Sequence, residues 1–504
     1  AGEKAWNEAV GKIRVEGGSY NDKAVFYTSL YRYYERPICI SEDGRYFSGF
    51  DGKVHEDGGH PFYTDDWSWD TYRAAHPLRV LLDSTMENNI IRSYIRMAEQ
   101  AGTDWIPTFP EVAGDSRSMN STHSVAIIAD AWGKGLRGFD LQRAYQACRK
   151  GMEERSLLPW SNEPAGVLDS FYRQHGYYPA LKPGEKESVK GVNAWEKRQP
   201  VAVTLGTSYD SWCLSLIARA AGDKATADKY LRHSYNYRNL FNPATGFFHP
   251  KDADGKFIEP FDYRISGGPG ARDYYDENNG YIYRWDVQHN IADLIRLNGG
   301  PEAFTRALDQ MFNTPYGMSR WSFYNILPDQ TGNVGMFSMA NEPAFHIPYL
   351  YNYAGKPWMT QKRIRKLLRE WYRNDLMGIP GDEDGGGMSA FVVFSMMGFY
   401  PVTPGSPTYN IGSPVFKKVE IKLAGGKTFE ILAEGASEAN KYIQSAMLNG
   451  GQLDRCWFRQ SDLFNGGNMD LKQGGILKLR MGPKANRQWG VNEPPPSVET
   501  ADIE

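Results

Sequence analysis

Between about residue 23 and residue 400 the apolar positions recur with a helical period, segment after segment. Ile90, Ile91, Tyr94, Ile95 and Ala98 fall on one face of a helix. Leu214, Ile217 and Ala218 repeat the pattern, and Gly222-Asp223 then punctuates it. A glycine free to turn left-handed ends one helix, and a carboxylate caps the next. Asn298-Gly299-Gly300-Pro301 reads the same way, with proline at a first helical position that needs no N–H. About a dozen such helices are predicted, joined by long loops rich in aromatics, Gly and Asp. Loops of that kind on a rigid scaffold usually carry function.

After Pro404 the period changes to two. Val419, Ile421 and Leu423 alternate, Gly425-Gly426 turns the chain, and Phe429 and Ile431 alternate again. Ile476-Leu477-Lys478-Leu479 reads as a further strand. The expected fold is mainly α with a β appendage: an (α/α)6 toroid over residues 1–402, then a small C-terminal β-sandwich over 403–485. Residues 486–504, with Pro494-Pro495-Pro496, are expected to form an extended tail.

Composition narrows the chemistry. The formal net charge is −3, which offers no basic excess for nucleic acid or an anionic membrane. No apolar run approaches the roughly 20 residues that span a bilayer. Aromatics make up 14% of the chain, with 14 Trp and 31 Tyr, and aromatic rings pack well on the C–H faces of sugars. The same rings serve equally well in a core. Cys39, Cys148, Cys213 and Cys456 match no metal spacing, and Cys148 and Cys213 fall in helical apolar patterns as buried thiols. With neither signal peptide nor initiator Met, Ala1 is read as a processed or excised start.

Four polar clusters stand at predicted loop-to-helix junctions. GDEDGGGMSAFVVF carries Asp382, Glu383 and Asp384, whose mutual repulsion needs a cation, a substrate hydroxyl or solvent to offset it. YYDENNGYIYRW places Asp276 and Glu277 among Tyr281, Tyr283 and Trp285, a setting that raises a carboxyl's pKa and suits a general acid. Asn341-Glu342-Pro343 offers hard oxygen ligands of the kind calcium takes, whereas the lone His346 lacks partners at zinc spacing and reads as a packed or substrate-binding residue. In DDWSWDTYRAAHPL, Asp70 and Arg73 beside Trp67 and Trp69 form a candidate sugar clamp. Each cluster also has a plainer reading as a helix cap or a structural ion pair. No phosphate loop, dinucleotide fingerprint or nucleophile elbow is present.

Taken in order, FYTSLYRYYERP, DGRYFSGFDGKVH, WDTYRAAHPL, HSVAIIADAWGKG, ENNGYIYRW, NEPAFHIPYLYNYAG and GDEDGGGMSAFVVFSMMGFYPVTPG resemble glycoside hydrolase family 92, the calcium-dependent α-mannosidases. The resemblance implies an inverting exo-enzyme acting on terminal α-mannose of N-glycans or mannans. It is expected to be secreted, periplasmic or on the cell surface. It implies Glu277 as general acid and Asp384 as general base, with Asp382 assisting. A Ca2+ ion gripping the terminal mannose would be held by Asn341, Glu342 and Asp384. Asp70, Arg73, Trp67, Trp69, Tyr281 and His346 are the expected substrate contacts. Inversion places acid and base roughly 6.5–9.5 Å apart, with room for a water.

The chain departs from the family pattern in three places. The family's N-terminal β-sandwich is absent, so a separate domain or chain is an expected partner. Gly206 and Ser211 stand where acidic residues are expected, and Ala344-Phe345 replaces a Ser-His pair of α-1,2-specific relatives. Another (α/α)6 inverting glycosidase and a non-catalytic glycan-binding fragment of a split enzyme are the alternatives. A lyase would want a Tyr, His or Lys base, and the candidates here are mostly carboxylates.

Overall fold

Helix ends in the computed structural model, which describes residues 2–464 and 473–498, fall where the glycines and caps announce them. The helix Pro200–Ala220 is followed by Gly222 at φ 88°, and the Asp223 carboxylate accepts the Thr226 N–H at 3.0 Å to cap Lys224–His233. Gly299 and Gly300 adopt φ 85° and 94°, and Pro301 opens the helix Pro301–Met311. Ser84–Gln100 buries Ile90, Ile91, Tyr94, Ile95 and Ala98 together.

The helices are of two kinds. Gly387–Met397 is buried at every position, and Pro200–Ala220 along nearly all its length. Leu141–Glu154 and Pro301–Met311 bury a single stripe and present a polar face to solvent. Pro200–Ala220 packs against Ser124–Gly133, Leu141–Glu154 and Lys224–His233. Gly387–Met397 packs against Tyr20–Arg32, Ala75–Leu82 and Pro357–Trp371. Helices buried on every side lie inside and striped ones outside, so the polar clusters at the ends of the inner helices are held by a rigid surround. Among the described residues no helix is long and apolar enough to cross a membrane.

The alternating segments pair as their pattern requires: Val419 faces Ile431 and Ile421 faces Phe429 across an antiparallel ladder. Thr428–Glu434 then pairs in parallel with Gln473–Gly482, which runs antiparallel to Tyr442–Leu448. A three-stranded sheet of Phe399–Tyr400, Thr408–Ile411 and Trp457–Arg459 lies beside it, with Phe399, Phe429 and Phe458 in ring contact. Two features differ from a clean division at residue 403. Ile13–Glu16 adds an edge strand to the larger sheet, Ile13 opposite Ile421 and Val15 opposite Val419, and Phe399–Tyr400 enters the smaller one before that point. Four residues with two apolar positions give too weak a local signal, and the partner strand lies far along the chain.

The described part of the expected tail has no regular structure but is anchored. Trp489 donates its indole N–H to the Leu453 carbonyl at 2.8 Å, and the Val498 N–H reaches the His289 carbonyl at 3.0 Å. Residues 499–504 of that tail lie outside the described residues. Cys148, Cys213 and Cys456 are buried free thiols, and Cys39 is exposed.

Candidate active site

The three acids of GDEDGGG go to three different tasks. Glu383 accepts the N–H groups of Gly386 at 2.8 Å and Ser389 at 3.1 Å, capping the buried helix Gly387–Met397. Asp382 is exposed. Asp384 takes φ 53° and is followed by Gly385 at 64° and Gly386 at 97°, a left-handed run that turns the chain sharply. A Cβ at Gly386 would stand 3.0 Å from the Tyr33 carbonyl oxygen, and one at Gly387 3.1 Å from that of Asp70. The glycines therefore let this loop lie directly on the turn Ser68–Thr71 that carries Asp70.

That close approach brings Asp384 and Asp70 to Glu342, with one carboxylate oxygen of each within 4.8 Å of the others. Glu342 is fully buried, and no hydrogen bond reaches either of its carboxylate oxygens among the described residues. Burial, then the charges of Asp384, Asp70 and Glu277, hold its pKa well above the ordinary range. Burial and the charges of Asp384 and Glu277 do the same to Asp70. Asp384 is pushed up to about 7 by burial and by Asp382, Glu383 and Asp329. Three hard oxygen donors around one point, one of them buried and donorless, fit a divalent cation such as calcium.

Glu277 stands beside this group on a separate loop. Asp276 is pinned by Asn120 Nδ2 at 2.8 Å and Gln199 Nε2 at 3.2 Å, and Asn279 caps the helix Gly280–Tyr283. Glu277, held between them at φ 57°, lies before the helix rather than in its first turn. Its Oε2 accepts Asn341 Nδ2 at 2.7 Å, and Asn341 is fixed in turn by Asn278 at 2.6 Å. Burial chiefly, then the charges of Asp276 and Asp329, raises the Glu277 pKa well above the carboxylate range. Asp276 rises to about 8, again through burial. A carboxyl whose charged form is disfavoured by burial, beside a group of oxygen donors, is suited to donate its proton to a bound ligand.

The other expected contacts are placed as follows. Arg73 does not pair with Asp70; its guanidinium lies 3.6 Å from Asp286 and over the rings of Tyr72 and Trp69. Trp69 is buried, whereas Trp67 is partly open, with Phe109 stacked on it and the Arg36 guanidinium 4.4 Å from its ring centre. Tyr281 packs edge-on against Phe247, and its ring contact among the described residues is with that aromatic group. His346 is a packed residue: it donates Nε2–H to the Trp285 carbonyl at 2.8 Å, and burial lowers its pKa to about 4. Both ends of the Asn341 amide are engaged, the oxygen by Asn278 and the nitrogen by Glu277.

Residues outside the four motifs complete the site. Arg272 donates to Glu196 Oε2 at 2.8 Å and stands 3.8 Å from Glu277 Oε1. Asp329, half-buried, has its pKa raised by burial and by Asp382. Neither sits in a sequence pattern that marks it. The departures at residues 206 and 345 also have local causes. A Cβ at Gly206 would lie 1.9 Å from Ser121 Oγ, which donates at 2.7 Å to the Asn120 that pins Asp276. Phe345 stacks on Phe391 in the core.

Residues 1–475 match the model of the glycosyl hydrolase family 92 catalytic domain. A family GH92 α-mannosidase of Bacteroides thetaiotaomicron, solved with mannoimidazole, superposes with a TM-score of 0.86 at 27% identity, covering 99% of this chain and 61% of that one. An inverting GH92 mannosidase of the same organism gives 0.81 at 32% identity, covering 99% and 64%. A sequence relative from Arthroderma benhamiae, named an uncharacterized secreted glycosidase, is 26% identical over 98% of this chain and 58% of its own length. The chain thus spans about three fifths of the length of these relatives. With the family model running through the helices, the acidic loops and most of the sheets, this chain belongs to glycosyl hydrolase family 92.

Proposed function

We propose that this chain carries the active centre of a secreted, inverting exo-α-mannosidase that uses calcium and acts on N-glycans or mannans. The helices are taken as an (α/α)6 toroid closed by the C-terminal β-sandwich, with an N-terminal β-sandwich, in the same or a separate chain, as partner. The observation that carries the reading is the pairing of two carboxyl environments. On one side burial disfavours the charged form of Glu277, which accepts from Asn341, and on the other the donorless Glu342 faces Asp70 and Asp384.

Glu277 serves as general acid. Asn341 fixes its Oε2, so the protonated carboxyl keeps one orientation toward the leaving oxygen. Asp384, with a pKa near 7, is ionised in good part at neutrality and takes a proton from the water attacking the opposite ring face. Asp382 assists through its charge, which holds the Asp384 pKa up. Asp70, Glu342 and Asp384 would hold the calcium. When bound, calcium supplies the positive charge that offsets the carboxylates and engages vicinal hydroxyls, which favours a cis-diol sugar such as mannose.

Proton NMR of an α-mannobiose panel, with calcium and with excess EDTA, tests the reading. The expected first product is β-mannose, and EDTA stops its release. First release of α-mannose rules out inversion, and release indifferent to EDTA rules out the cation.

A further inference from the structure

The carboxylate group is buried, whereas Trp195 lies at the surface. Glu342 is 0% exposed and Asp70 5%, the Glu277 side chain is 18% exposed, and Trp195 is 61% exposed. Of the strongly exposed tryptophans Trp6, Trp160, Trp195 and Trp321, Trp195 alone among the described residues is tied to the acidic site. The Arg272 guanidinium lies 5.6 Å from its ring centre and 3.8 Å from Glu277 Oε1. Arg272 thus bridges the acid and the exposed indole.

The loop is built to hold the indole there. Asn193 Oδ1 accepts the N–H groups of Trp195 at 2.8 Å and Glu196 at 3.0 Å, a side-chain-closed turn. That turn leaves Trp195 outward and Glu196 inward, where it takes Arg272 at 2.8 Å. Arg198 anchors the loop's end through Glu187 at 2.6 and 2.7 Å. The loop backbone is thus fixed while the indole stays exposed, with the Arg272 guanidinium over its ring.

We infer that Trp195, braced by Arg272 and Glu196, is the platform for the sugar on the leaving-group side of Glu277. This rests on the mannosidase reading. In an exo-enzyme the terminal sugar occupies the buried end, beside Asp70 and Glu342, and the rest of the glycan leaves through the open side. Arg272 stands 3.8 Å from Glu277 Oε1 and 5.6 Å from the ring centre of the exposed Trp195, joining the acid to the surface. It therefore lies on the outer side of the acid, where its remaining N–H groups can reach hydroxyls while the indole stacks on the ring's C–H face.

The test compares Trp195→Ala with the parent protein on two substrates: the α-mannobiose it cleaves fastest, and α-mannosyl fluoride, whose leaving group carries no sugar and needs no proton. The ratio of kcat/KM for mannobiose to that for the fluoride falls about tenfold, the loss of one stacking contact, and Trp195→Phe recovers most of it. Equal losses on both substrates, no loss on either, or a parent that hydrolyses the fluoride but no mannobiose would overturn the platform alone. A parent inactive on both overturns the mannosidase reading, and the platform with it.

Discussion

Two buried acidic groups lie a few residues apart in this molecule, and they are finished differently. At the start of the helix Ala75–Leu82, His76 sits between Asp66 at 2.9 Å and Glu87 at 2.9 Å. Asp66 also accepts Thr71 Oγ1 at 2.8 Å and the Tyr94 hydroxyl. Burial alone would raise Asp66, but His76 and Arg79 hold it below the usual range. Burial would likewise lower His76, but Glu87 and Asp66 lift it to about 9. Every charge there has its counterpart within the chain. Around Asp70, Glu342 and Asp384 no cation forms an ion pair among the described residues, Arg73 lying on Asp286 instead, and the carboxyl pKa values rise. The first group secures the turn that carries Asp70, and the second is the one proposed to take calcium.

The contrast is sharpest in what mutation should do. Glu277→Gln and Asp384→Asn each cost about 10³-fold or more in kcat on α-mannobiose. Neither lowers the melting temperature of metal-free protein, because burial disfavours the charged form of both carboxyls and a neutral amide removes that cost. A large drop in melting temperature in either variant would break the distinction between the groups. His76→Gln does the reverse. It leaves Asp66 and Glu87 buried without their cation and costs about 3–5 kcal/mol in urea unfolding.

Smaller effects refine the same picture. Asn341→Ala frees the Glu277 carboxyl and lowers kcat/KM roughly 10- to 100-fold. It also moves the alkaline limb of the pH profile upward, since the lost hydrogen bond had favoured the charged form. An unmoved limb would assign Asn341 to something other than Glu277. Last, the His76 pKa is raised from an unfolded value near 6.5 to about 9. Its contribution to stability is therefore complete below about pH 6.5 and is lost as the pH rises through 9, as thermal unfolding across pH 6–10 should record.

Much of this was legible from residue order alone. Glycine and cap punctuation marks helix ends because those positions need particular backbone angles, and the alternation of Val419, Ile421, Phe429 and Ile431 marks a ladder. The acids stand out because three adjacent carboxylates, or an Asp-Glu-Asn-Asn run, are costly without a purpose. What stayed hidden depends on distant meetings. Asp70 joins Glu342 and Asp384 only because Gly385-Gly386-Gly387 lets a loop settle on its turn, and no spacing announces that. Arg272 and Asp329 lie in ordinary loops, and Ile13–Glu16 finds its partner strand near residue 420.

Calorimetric titration of calcium into chelator-stripped protein and its Glu342→Gln variant tests the central claim most directly. The account predicts a saturable calcium site in the parent that is lost or strongly weakened in the variant, with both proteins folded. No binding by the parent, or equal binding by both, would contradict it.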